Sequence, residues 1–204
     1  SYWVNVDFTP PPVMQTLIKR FSSQITLRTL RRNRFDEEME ILRDIFNDAW
    51  SDNWGFVPFT REEFAELGSS LRLLLPDDYI QIAEVNGEPA AFMVALPNLN
   101  EVLVELNGSL FPFGWLKMIN RIRKHQIRTG RIPLMGVRKQ FRNTPLGLAL
   151  ACMVIDAPRK VAIARGVKEV EMSWILEDNA AMRGILDSIG SQQYKRYRIY
   201  GKTL

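Results

Sequence analysis

Cysteine and histidine each occur once in the 204 residues, as Cys152 and His125. A lone cysteine excludes an internal disulfide and a multi-cysteine zinc site. A lone histidine argues against a histidine metal site or a Ser–His relay, so no metal is expected. Long apolar runs are also missing. The longest, Leu146–Ile155, is about half a membrane span and stops at Asp156. No signal-like segment is visible, so a cytoplasmic protein with no membrane partner is expected. The last absence is local: residues 106–155 hold nine Lys or Arg and no carboxylate.

The overall composition is ordinary. Hydrophobic residues make up 46% and charged residues 25%, which excludes disordered and low-complexity classes. The formal charge is only +4, yet it is unevenly spread. Residues 36–105 carry sixteen acidic and three basic side chains, the reverse of the stretch that follows. A chain of this length builds one ordinary domain without covalent staples.

Residues 1–23 read as an arm or interdomain linker. Thr9-Pro10-Pro11-Pro12 favours an extended course, and Ser1–Phe8 alternates loosely, like a linker or a strand that belongs to a neighbour. Gln24–Leu30 alternates as a strand. Phe35, Met39, Leu42, Ile45, Phe46 and Ala49 share a helical face over Phe35–Trp50, with Asp36, Glu37 and Glu38 in its first turn. Thr60 and Glu63 form a capping box for a helix over Arg61–Leu74. Asn86-Gly87 joins the strands Tyr79–Val85 and Pro89–Leu96 as a hairpin. A short helix is expected between Pro97 and Asn107, another helix over Trp115–His125, and a strand over Arg131–Arg138. Thr144 as N-cap and Pro145 at the first position open a helix that runs to about Ala164, with Pro158 kinking or splitting it. A strand over Lys168–Ile175, a short helix from Asn179 and a last strand over Tyr194–Tyr200 complete a mixed α/β sheet.

Chemistry concentrates at Met135-Gly136-Val137-Arg138-Lys139-Gln140-Phe141-Arg142-Asn143-Thr144-Pro145-Leu146-Gly147. A strand, a basic turn and a capped helix start offer free N–H groups and a favourable dipole, which is how an anion or pyrophosphate is held. Gly147 allows close approach of a ligand or of another backbone. A solvated basic turn leading into a core helix is the competing reading.

Arg142-Asn143-Thr144-Pro145-Leu146-Gly147 resembles the Gln/Arg-x-x-Gly-x-Gly/Ala motif of the GNAT acetyltransferase superfamily. The element order matches that fold over residues 24–204. Glu171–Met182 resembles the family's penultimate strand with the Asn-capped helix that follows, and Ile189-Gly190 resembles the turn before its last strand. The Asn47–Pro58 loop resembles a subgroup of bacterial GNAT-like proteins, whose longer members carry two such domains.

The resemblance implies acyl transfer from acetyl-CoA or another acyl-CoA to a small-molecule or peptide amine. Met135, Gly136 and Val137 would line the thioester, and Arg142, Asn143, Thr144, Leu146, Gly147 and Leu148 would hold the pyrophosphate. Asn179 would cap its helix, contact the pantetheine, or both. Glu171 is the nominee for general base, against a paired strand carboxylate. Trp50, Asn53, Trp54 and Phe56 would build the acceptor wall, or else plug the core, and Phe111, Phe113 and Trp115 could line the same pocket. The acidic front half would face a cationic amine through Asp48 and Asp52. Two positions depart from the family: Pro145 lacks an N–H where a motif glycine stands, and Leu186 replaces a tyrosine acid, leaving Tyr194, Tyr197 and Tyr200 as substitutes. These departures motivate the alternative of a non-catalytic GNAT-like module that binds acyl-CoA or only packs on a sister domain or a second copy. Nucleic-acid binding is disfavoured because the basic stretch carries no recognisable motif.

Overall fold

The computed structural model describes residues 1–72 and 76–202. Its strands are β1 (Tyr2–Asn5), β2 (Ile25–Thr29), β3 (Ile80–Val85), β4 (Glu88–Pro97), β5 (Thr129–Val137), β6 (Glu169–Met172) and β7 (Gln192–Gln193). Its α-helices are α1 (Pro12–Phe21), α2 (Phe35–Trp50), α3 (Arg61–Arg72), α4 (Asn100–Glu105), α5 (Gly114–Arg123), α6 (Pro145–Ala164) and α7 (Ala180–Ser188). The strands form one mixed sheet in the order β2-β3-β4-β5-β6-β1-β7. The β5–β6 pair is parallel and its neighbours are antiparallel.

Strand alternation divides the core into two layers. On β4, Ala91 and Met93 face α6, while Phe92 and Val94 face α2. Helix α6 is buried along Ala149–Asp156, because it lies between the sheet and α1. The α2 layer packs Leu42, Ile45 and Phe46 on Ile82 and Phe92. A buried ion cluster ties α2 to the sheet: Glu38, 1% exposed, pairs with Arg28 of β2 and with Arg31, and Arg28 also pairs with Glu84 of β3.

Two expectations change, and at Pro158 the alternative of a split helix is excluded. The N-terminal segment is not an arm in this structure, because β1 lies between β6 and β7. Tyr2, Val4 and Val6 turn a buried face inward, and the third proline, Pro12, opens α1 where a missing N–H costs little. Helix α6 is one helix through Pro158, which is buried within it. The last strand is short: only Gln192 and Gln193 pair, opposite Trp3 and Tyr2, and residues 194–202 carry no strand. Beyond the ladder the backbone still meets Ser1: Tyr194 N–H donates to the Ser1 carbonyl at 3.2 Å, and the Ser1 amine donates to the Lys195 carbonyl at 2.9 Å. Leu73 and Leu74, expected to end α3, lie outside the described residues. No helix among the described residues is long and apolar enough to cross a membrane.

Two predictions follow from the core. Glu38→Ala removes one of the two carboxylates that hold Arg28 in a buried site and should lower unfolding free energy in urea by about 2 kcal/mol. Burial, with a smaller contribution from Asp156, pushes the Cys152 thiol up to about 11. Cys152 should therefore resist alkylation in the native protein at pH 8 and react fully in denaturant, as followed by mass spectrometry.

Candidate active site

The sheet parts at its centre. Strand β5 pairs with β6 from Thr129 to Ile132, and the pairing ends at Ile132 opposite Met172. At the same place the β4–β5 register shifts, with Ile132 and Pro133 against the single residue Ala95. This is a bulge on β5, and Pro133 has no N–H for either neighbour. Beyond it, Arg138 N–H donates to the Ala90 carbonyl at 2.9 Å. Alternation along the antiparallel ladder then aims the polar groups of Gly136 and Leu134 at β4, and those of Met135 and Val137 into the opening. The Trp50 indole, at the end of α2, donates to the Met135 carbonyl at 3.0 Å. Gly136 lies under α2, where a Cβ would meet Ala49 Cβ at 3.2 Å and a Phe92 ring carbon at 3.0 Å.

The opening leads to the basic turn and the start of α6. Thr144 caps the helix by accepting from Gly147 N–H at 3.0 Å. A Cβ on Gly147 would sit 2.0 Å from the Phe141 carbonyl oxygen. Of the two readings of Gly147, this close approach is to its own turn. Arg142 N–H bonds Lys139, Thr144 N–H bonds Phe141, and Leu148 N–H bonds the Thr144 carbonyl. Pro145 has no N–H, so the amides of Asn143 and Leu146 are the two in Arg142–Leu148 without an intramolecular partner among the described residues. Asn143 adopts a left-handed φ of 56°.

The basic side chains of the turn are held by α2 and the loop after it. Arg138 pairs with Asp44 at 2.6 Å. Asp48 accepts from the Lys139 backbone N–H at 2.7 Å. Asp52 takes the Lys139 ammonium at 2.6 Å and Arg142 at 2.9 Å. Hydrogen bonding from Lys139, helped by Arg142, holds the Asp52 carboxyl below the usual carboxylate range. Asp48 thus anchors the turn's backbone and Asp52 pairs with its cations, which corrects the expectation that they face an acceptor amine.

The aromatic loop divides. Trp50 stacks on Phe46 with ring centroids 4.9 Å apart, and Phe56 also packs on Phe46. Asn53 is half-buried in the turn after α2, and Trp54 projects into solvent. Beneath α2, an apolar cleft lined by Phe35, Met39, Leu42, Phe64, Val94 and Leu134 reaches β5 one residue from Pro133.

Glu171 lies on β6 in register with Trp3 and Arg131, on the sheet face away from α6. Burial pushes its pKa up, but hydrogen bonding by Tyr194, the Arg131 charge and a bond from Ser173 outweigh this and hold the carboxyl below its usual range. Tyr194 is thus the tyrosine that reaches Glu171. Tyr197 lies beside Trp174, Tyr200 is exposed, and Leu186 is fully buried. Asn179 caps α7 by accepting from Met182 N–H at 3.1 Å. Sequence reasoning missed the Trp50–Met135 bond and the Asp44–Arg138 pair. Both join groups about ninety positions apart, and no local pattern signals such a contact.

No family model matches the chain. Among curated proteins, it is 47% identical over 205 residues to protein YghO of Escherichia coli K12, covering 100% of this chain and 53% of that one. It is 41% identical over 195 residues to the bacterial ceramide synthase of Caulobacter vibrioides, covering 95% and 51%. The chain spans about half the length of these relatives. Among solved structures, a GCN5-related N-acetyltransferase from Sphaerobacter thermophilus aligns with a TM-score of 0.55 at 19% identity, over 94% of this chain and 46% of that one. The aminoglycoside N-acetyltransferase AAC(6')-Iy, solved with CoA, aligns with a TM-score of 0.51 at 15% identity, over 88% and 95%. The chain has the GNAT N-acetyltransferase fold.

The packing of Gly147 gives a direct test. Gly147→Ala should cost about 2 kcal/mol of stability in urea unfolding, because the turn must move off the helix start.

Proposed function

We propose that this domain is an acyl-CoA-dependent N-acyltransferase. The observation that carries the reading is the parting of β5 and β6 at Pro133, which leaves a strip of backbone running to a Thr144-capped helix start. Met135 and Val137 would bind the pantetheine arm along that strip. A backbone N–H of the Met135–Val137 strand would stabilise the developing oxyanion. The Asn143 and Leu146 amides, with Lys139 and Arg142, would receive the pyrophosphate. An acyl-CoA substrate also agrees with a cytoplasmic location.

In the reaction, the neutral amine attacks the thioester carbonyl. The C–N bond forms, the C–S bond breaks, the amine proton passes to a base and the departing thiolate takes up a proton. Glu171 is our candidate base, ionised at neutral pH. The contacts that hold its pKa down also reduce its basicity, so Glu171→Gln should slow the reaction by about a hundredfold rather than abolish it. Asn179 is a candidate pantetheine contact, and Trp50, Asn53, Trp54 and Phe56 remain candidates for the acceptor side.

The ceramide synthase relative favours an acceptor of a particular class. A ceramide is an amide of a fatty acid with a long-chain amino alcohol, and the apolar cleft beneath α2 could take an alkyl chain. The additional length of the relatives leaves room for a sister domain. A second reading, a GNAT-fold module without transfer activity, draws on Pro145 and on the pairing of Lys139 and Arg142 with Asp52.

A thiol-release assay separates the two. Palmitoyl-CoA with sphinganine should release CoA and yield an amide by mass spectrometry, faster than acetyl-CoA with a short amine. Absence of product with both thioesters would leave the module reading, and calorimetry would then tell an acyl-CoA-binding module from one that only packs on a partner.

A further inference from the structure

We propose that the α4–α5 hairpin is a docking surface for anionic phospholipid, seating the domain on a membrane without spanning it. Hydropathy led us to expect no membrane partner, but a search for long apolar runs detects only spanning segments.

The hairpin presents apolar side chains that nothing among the described residues covers. Val104 is 76% exposed, Phe111 83% and Phe113 72%, and Trp115 and Leu116 are exposed beside them. Helix α5 has no fully buried residue: of its apolar stripe Trp115, Met118, Ile119 and Ile122, the first is exposed and the other three are half-buried. A surface helix whose apolar stripe is only partly covered, led by exposed aromatics and backed by a basic face, matches the interfacial class.

The aromatics stand on an ordered turn. Trp115 N–H bonds the Leu110 carbonyl at 3.0 Å, and Ser109 Oγ donates to the Phe111 carbonyl at 3.1 Å. The Trp115 indole N–H is already satisfied by the Pro112 carbonyl at 3.1 Å. That ring can enter a less polar layer without stranding a donor.

Charge selects the partner. The hairpin's carboxylates, Glu101 and Glu105, are both engaged within the protein. Glu101 accepts from the backbone of Arg128 and Thr129, and Glu105 pairs with Lys117 and Arg121. Arg123 and Lys124 are exposed on the last turn of α5 and just beyond it, with no carboxylate in the fifty residues from 106 to 155. Apolar side chains flanked by cations complement an anionic headgroup layer. Val104 and Leu116 have no flat face to stack on a base, which favours lipid over nucleic acid.

Flotation of the whole chain with vesicles tests this independently of any acyl transfer. The protein should float with phosphatidylcholine vesicles containing phosphatidylglycerol, bind pure phosphatidylcholine less, and lose binding as salt rises. The double variant F111S/F113S should bind about tenfold more weakly or worse at unchanged Tm, because both side chains are already exposed. R123E/K124E should weaken binding to the anionic vesicles alone. Failure to float with anionic vesicles, or flotation unaffected by F111S/F113S, would overturn the proposal. So would a self-association or a nucleic-acid shift that F111S/F113S abolishes while no vesicle binding is seen.

Discussion

The central strands of the sheet can stay paired only up to Ile132, and the candidate site depends on that limit. Pro133 has no amide hydrogen, and the bulge it occupies shifts the register by one residue while Leu134–Val137 stay paired with β4. Strand β6 cannot follow, so it leaves at Met172. A continuous strand would place Met135 and Val137 in ladder hydrogen bonds. The interruption leaves their polar groups facing an opening, which requires a partner of some kind. Trp50 supplies one for the Met135 carbonyl, and in doing so sets the end of α2 against the edge of the cleft.

The second constraint is electrostatic and runs between distant parts of the chain. The acidic and basic blocks of the sequence meet where α2 crosses the end of β5, and Asp44, Asp48 and Asp52 meet Arg138, Lys139 and Arg142 there. The turn is therefore locally close to neutral, although its own composition is strongly basic. Its shape is held from two sides, by these carboxylates and by the contact of Gly147 with Phe141.

Most of the fold was legible because it follows from local chemistry. Phe35–Trp50 is written in its apolar spacing, α6 in Thr144-Pro145, and the β3–β4 hairpin in Asn86-Gly87. The N-terminal strand was harder, since a proline-rich segment with loose alternation looks alike as a linker and as a strand; pairing with β6 decides it. The last strand failed for a related reason. Tyr194–Tyr200 alternates well, but alternation alone does not make a ladder, and only Gln192 and Gln193 pair with β1. At the site, the strand–turn–helix order and the Thr144 cap were readable from sequence. The occupants of the donors were not, because those contacts are set by the docking of α2 on β5.

That docking also bears on how an anion would be received. Asp52 lies at the protein surface, and exposed ion pairs contribute little because water screens both partners. Exchanging Asp52 for an incoming phosphate at Lys139 and Arg142 would therefore cost little. The Asp48 bond to the Lys139 amide and the Arg138–Asp44 pair can stay in place through such an exchange. In this arrangement the same six charged residues divide into two jobs. Four maintain the turn, counting Lys139 through its backbone, while the Lys139 ammonium, Arg142 and Asp52 form the exchangeable part. A turn built this way presents little net charge at rest and two cations when Asp52 is displaced. The net charge of the sequence around it is therefore a poor guide to its affinity for an anion, and the geometry of α2 is a better one.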